Sequence, residues 1–136
     1  MEEKGRPPLT ALAFIICDSV ISDKVTNKNS LIGLFNIIHS KKFLFVFPVI
    51  NAFVSLTQGH GEYDCSLSCV KEEEIDKPIW NSGGKIKMTD PLEVLEINFE
   101  IRNVLFPAAG IYRFEFSCDN VPIISRKFQV IEGGKL

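Results

Sequence analysis

Cys65 and Cys69 stand four residues apart in the stretch "HGEYDCSLSC", which begins at His60. Two thiolates and an imidazole at such spacing are the raw material of a zinc site, in which each sulfur must lie ~2.3 Å from the metal. The intervening pattern decides against that chemistry. Tyr63, Cys65, Leu67 and Cys69 alternate with Asp64, Ser66 and Ser68, which is the period of a strand. Along a strand the two cysteines share a face but lie ~13 Å apart at about 3.3 Å per residue. One ion cannot hold both, and no metal or other cofactor is expected.

Histidine chemistry is confined to His39 and His60. His60 sits between Gly59 and Gly61, and His39 closes an apolar run beside Ser40 and Lys41. A nucleophile needs a positioned base and a third group to orient it, and no Gly-x-Ser-x-Gly elbow is present. An enzyme or small-ligand binder with a loop-end site around His39 or His60 is therefore the alternative reading. Calcium needs six to eight converging oxygens, whereas the aspartates are dispersed and "EEEID" is a continuous charge run. "NSGGK" has the glycines of a phosphate loop without its spacing or the following Ser/Thr.

Fifteen basic and seventeen acidic residues leave a net charge of −2, divided as six and six over the first seventy residues and nine and eleven over the rest. Neither part could hold a phosphate backbone by charge, which argues against nucleic acid. No apolar run approaches the ~20 residues of a membrane helix. Lys4 and Arg6 precede "LTALAFIIC" in the manner of a lipoprotein signal, but Ile15 and Ile16 stand where small residues would be needed for cleavage. A cytoplasmic protein without a membrane partner is expected. The four cysteines, Cys17, Cys65, Cys69 and Cys118, are then read as reduced, packing as small hydrophobes.

The elements that must carry these residues read as strands. "LTALAFIICDSVIS" (9–22) is rich in β-branched residues, "DKVTNKN" is a polar hairpin loop, and "SLIGLFNIIHS" (30–40) is a second strand. "KKFLFVFPVINAFVSLT" (41–57) contains Pro48, which implies an edge, a bulge or a change of sheet. "KEEEIDKP" and "WNSGGK" read as exposed loops around a possible short strand at Ile79–Trp80. At 89–103 Asp90, Pro91 and Glu93 imitate a helix cap, but Leu95, Ile97, Phe99 and Ile101 alternate with polar residues and predict a strand from about Val94. Strands at 111–118 and 123–131 follow. The expectation is an all-β chain, a single immunoglobulin-like antiparallel β-sandwich of about seven strands over 9–131, with tails at 1–8 and 132–136.

"FPAAGIYRFEF" fits the corner of such a sandwich. Gly110 supplies the turn, and Tyr112, at the start of the penultimate strand, is placed to bond back to the corner. Gly110 and Tyr112 are assigned to shape.

The stretch "ALAFIICDSVISDKVTNKNSLIGLFNII", and the ending in which "FPAAGIYRFEF" leads through "CDN" to "RKFQV", resemble a family of small bacterial proteins known as a domain of unknown function. The resemblance covers nearly the whole chain. It implies a bacterial, cytoplasmic β-sandwich and brings no catalytic residue with it.

What remains is a surface. The later strands are apolar on one side, but around 12–21, 31–38 and 43–54 apolar residues occupy both parities. A strand greasy on both faces needs cover on both, from its own chain, a second subunit or another protein. The expectation is a non-enzymatic protein-interaction or assembly module, with a protein partner or a homo-oligomer. Its interface residues would be Phe43, Phe45, Phe47 and Val49, with Leu44 and Val46 if the opposite face is the exposed one.

Overall fold

Strand periodicity is realised along almost the whole chain. The computed structural model describes residues 9–133, and the expected tail 1–8 and residues 134–136 lie outside them. Among the described residues there are nine strands and no helix: β1 (Thr10–Ser22), β2 (Asn29–Leu34), β3 (Ile37–Ser40), β4 (Phe45–Thr57), β5 (Gly61–Lys71), β6 (Trp80–Met88), β7 (Val94–Phe106), β8 (Gly110–Cys118) and β9 (Val121–Glu132). They form two sheets, ordered β2-β1-β4-β7 and β3-β9-β8-β5-β6.

Nine strands replace the seven expected, for two reasons. The segment 30–40 is not one strand, because it changes sheet at Phe35–Asn36. The Phe35 N–H donates to Ile16 O at 3.4 Å, while Asn36 O accepts from the Gln129 N–H at 2.9 Å. Consecutive residues thus serve opposite sheets, and β3 then runs parallel to β9, whereas the other strand pairs among the described residues are antiparallel. The second reason is β6. Its Asn, Ser and Gly composition reads as loop, yet nine register pairs with β5, from Cys69 with Trp80 to Gly61 with Met88, satisfy its backbone.

The core lies between the sheets and is built on aromatic rings. Phe106 meets Tyr112 edge-on at 5.1 Å, and Phe128 stacks with Phe114 at 5.3 Å and with Tyr112 at 5.9 Å. Ile16, Ile50, Ala52, Val54, Leu56 and Leu67 are fully buried around them. Full burial of an Ile, Val or Leu side chain contributes about 1.5–3 kcal/mol.

Pro48 occupies an edge-like stretch. β4 pairs with β7 along its length, but β1 joins it only from Asn51 onward, so the missing N–H of Pro48 falls where no β1 neighbour requires it. Beyond Cys17, β1 leaves β4 and pairs with β2.

Two of the four cysteines are not reduced. Cys65 on β5 and Cys118 on β8 are register partners and form a disulfide, whereas Cys17 and Cys69 are free and buried. The pair is 53 residues apart in sequence. Strand registry brings it together, which spacing could not reveal.

Candidate functional site

The segment 41–57 was expected to carry the interface, and the structure sorts its residues by face. Phe43, Phe45 and Phe47 are half-buried and packed against the core. They form a ladder with centroid separations of 6.5 and 6.0 Å, which continues from Phe45 to Phe106 at 6.3 Å and from Phe47 to Phe35 at 6.2 Å. Leu44 and Val46 point the other way and are 68% and 50% exposed. Val46 is the register partner of Leu105, itself 45% exposed. Val46 and Leu105 therefore make an apolar pair on the outer face of the four-stranded sheet, and exposed Leu44 lies just before it in the chain.

Val49 shares the parity of the three phenylalanines but not their side. Ile50 is fully buried in the core, so Val49 faces outward, beside its partner Arg102. The switch occurs at Pro48.

Of the other two-sided stretches, the middle of 12–21 finds its cover within the chain, whereas Leu12, Ile21, Ile32, Leu34 and Ile37 stay exposed. Ile16 and Cys17 are consecutive and both fully buried. Ile16 belongs to the core. Cys17 lies on the outer side with Asn51, Phe53 and Ser55, which are 5–7% exposed. That side is enclosed because the sheet curls until its edge strands touch: Asn29 Nδ2 on β2 donates to Glu96 Oε1 on β7 at 2.6 Å. Beneath the curl, Asn98 Nδ2 donates to Asn51 Oδ1 at 3.0 Å, and Asn51 Nδ2 donates to Asp18 O at 2.8 Å. The polar groups taken from water are thereby paired.

Chemistry has little to work with. His60 is exposed on the turn before β5, where its backbone N–H donates to Tyr63 Oη at 2.9 Å, and His39 is half-buried on β3. The two lie on separate elements. No group of three or more His, Cys, Asp or Glu converges among the described residues. Burial pushes the Cys69 thiol far above its usual range. Burial also raises the Cys17 thiol, offset in part by its hydrogen bonds with the backbone of Ile32 and Ser19. Both are held as thiols, the unreactive form.

The corner residues have a geometric role. Tyr112 Oη donates to Ala108 O at 2.6 Å, and Gly110 turns the chain at φ +150°. The opposite outer face carries an ion-pair chain missed in the sequence: Arg113 bonds Glu115 and Glu72, and Glu72 also meets Lys127 at 3.4 Å. Its members come from β8, β9 and the loop after β5, so no local motif marks it.

Residues 12–131 match the model of a family of unknown function, DUF6941. The chain belongs to that family. The match spans β1 from its third residue to nearly the end of β9, so both sheets, the curl and the corner lie within it. No curated protein matches the chain. No helix of the described residues is long and apolar enough to cross a membrane.

Proposed function

We propose that this chain is a non-enzymatic protein-interaction or assembly module that works through its N-terminal apolar strands. The observation that carries the reading is the outward pair of Val46 and Leu105, register partners on a sheet surface, with exposed Leu44 just before β4. Contiguous exposed apolar area of this kind marks protein contact surfaces. Lys41 and Lys42, both exposed ahead of the patch, would limit indiscriminate association.

The finer description of the fold as immunoglobulin-like belongs to this proposal. The Tyr112 bond to the corner and the two-sheet arrangement support it. The bacterial origin rests on the family resemblance. The cytoplasmic expectation is opposed by the Cys65–Cys118 bond, since such bonds are formed in oxidising compartments and are rare in the cytoplasm.

The test is Val46→Asp, made at a site exposed enough to accept a charge without unfolding. Partner capture from host lysate and solution mass are measured for both proteins. Loss of a partner or of self-association, with an unchanged circular dichroism spectrum, supports the reading. Retention of every association seen with the native chain removes the patch from it.

A further inference from the structure

We propose that the β1–β2 hairpin, residues 18–34, is a flap that opens about Cys17 and Leu34 while both sheets stay folded, uncovering Cys17 and Phe53. This goes beyond the apolar pair on β4 and β7 and rests on different residues.

The hairpin is attached at one end. β1 makes its last pair with β4 at Cys17, opposite Asn51, and from there to Ser22 it pairs with β2. β2 is an end strand whose one neighbour in the sheet is β1. The chain rejoins the fold at Phe35, whose N–H donates to Ile16 O, so both arms of the hairpin are rooted at the same level. No residue of the stretch 18–34 is buried, and 21–28 are all exposed. Among the described residues two hydrogen bonds cross from the hairpin to the strands behind it. Asn51 Nδ2 holds Asp18 O at the root, and Asn29 Nδ2 holds Glu96 Oε1 toward the tip. Water-exposed backbone bonds and little buried apolar surface mark a unit that opens before the rest of a fold does.

The bend at the root has a local cause. The pairs Cys17 with Leu34 and Ser19 with Ile32 flank a step at Asp18 and Gly33 where no pair forms. Gly33 takes φ +74°, and a Cβ there would meet Asp18 Oδ2 at 2.4 Å. Glycine therefore lets the hairpin fold back toward β7, and its backbone is the freest to change when the flap moves.

What the flap covers is separate from the main core. Cys17 and Phe53 are 0% and 7% exposed, yet neither belongs to the cluster of buried side chains between the sheets. The Cys17 Sγ–H donates to Ser19 O at 3.4 Å, and the sulfur also meets the backbone of Ile32, the register partner of Ser19. The thiol thus sits in the crook of the bend, under the hairpin's own strands. Cys69, the other free thiol, is fully buried within the main core. Cys17 therefore reports on the flap, and Cys69 reports on the sandwich.

The test is alkylation of the folded protein by N-ethylmaleimide without reductant, with each modified cysteine assigned by peptide mass spectrometry. Cys17 should react in the absence of urea, and its rate should rise little with urea below the unfolding transition. The Cys69 rate should climb steeply, because urea dependence scales with the surface exposed and the sandwich exposes far more than the flap. Glu96→Ala removes the acceptor toward the tip and should speed Cys17 roughly fivefold, the weight of one exposed hydrogen bond. Glu96→Gln keeps an oxygen acceptor and should stay near the native rate. A Cys17 rate that climbs with urea as steeply as that of Cys69 overturns the proposal, since both thiols would then be reached only by unfolding of the whole. So does a Cys17 rate that Glu96→Ala leaves unchanged.

Discussion

Pro48 on β4 lies directly opposite Asn103 on β7, bracketed by the register pairs Phe47 with Val104 and Val49 with Arg102. Both strands change face at this point. On one side of it Ile50 and Ile101 point into the core, and on the other Phe47 and Val104 do, so each strand has inserted one residue without losing register. Asn103 takes φ +57°, a conformation open to Asn and Gly and costly for other residues. The matched irregularity is what turns the half-buried phenylalanines toward the core and leaves Val46 on the outside.

Asn103→Val should therefore destabilise the fold by roughly 1–2 kcal/mol, the cost of a left-handed backbone for a side chain with a branched Cβ. Asn103→Gly should stay within about 0.5 kcal/mol of the native protein. Urea unfolding of the two variants checks the contrast. Equal stabilities would mean that the left-handed turn does not hold the two strands.

The two faces of β4 should answer differently to substitution. Phe45→Ala removes a ring that contacts Phe43, Phe47 and Phe106 and should cost about 2–3 kcal/mol, below the figure for a fully buried Phe because Phe45 is half-exposed. Val46→Asp should change stability by about 0.5 kcal/mol or less. Thermal melts of both variants measure this.

Cys65 and Cys118 make a prediction about thiols. Protein purified without reductant and then unfolded should react at Cys17 and Cys69 alone, giving two thiols of the four cysteines. The folded protein should react more slowly at both, since burial raises each thiol. Replacing Cys65 and Cys118 together by Ala should lower stability by about 2–4 kcal/mol, the range for closing a loop of this size. Four thiols would place the native chain in its reduced state.

Tyr112→Phe deletes the hydroxyl that donates to Ala108 O at 2.6 Å and leaves the stacked ring in place. A loss of about 1 kcal/mol is expected in denaturant unfolding. No loss would mean that the corner is held by packing of the ring.

Asp23 gives the pH dependence. Its carboxylate accepts from the N–H groups of Thr26 at 3.0 Å and Val25 at 2.7 Å, which hold its pKa below the usual 3.8. Because the folded value is the lower one, the contribution is complete above pH 3.8 and is lost as pH falls through the folded value. Carboxyl NMR titration should find Asp23 still ionised at pH 3.8, and Asp23→Asn should abolish that acid dependence in the hairpin loop. A midpoint at or above 3.8 would remove the turn's role.

The sequence by itself determined that the chain is all-β, which residues of β5, β7 and β8 face inward, and where the corner at Gly110 and Tyr112 falls. Those features are local: alternation along one strand, or a glycine before a tyrosine, is written in a few neighbouring residues. It also marked 12–21, 31–38 and 43–54 as apolar on both parities. Three things were decided only by the tertiary structure. The change of sheet at Phe35–Asn36 depends on Ile16 and Gln129, partners far away in the chain. The loop-like β6 is a strand because β5 supplies its hydrogen bonds. The face of each residue around Pro48 depends on Asn103, 55 positions onward, and the cover of Cys17 depends on a curl closed by Asn29 and Glu96. Alternation tells which residues share a face. Only the pairing of distant strands tells which face meets the core and which is left to water.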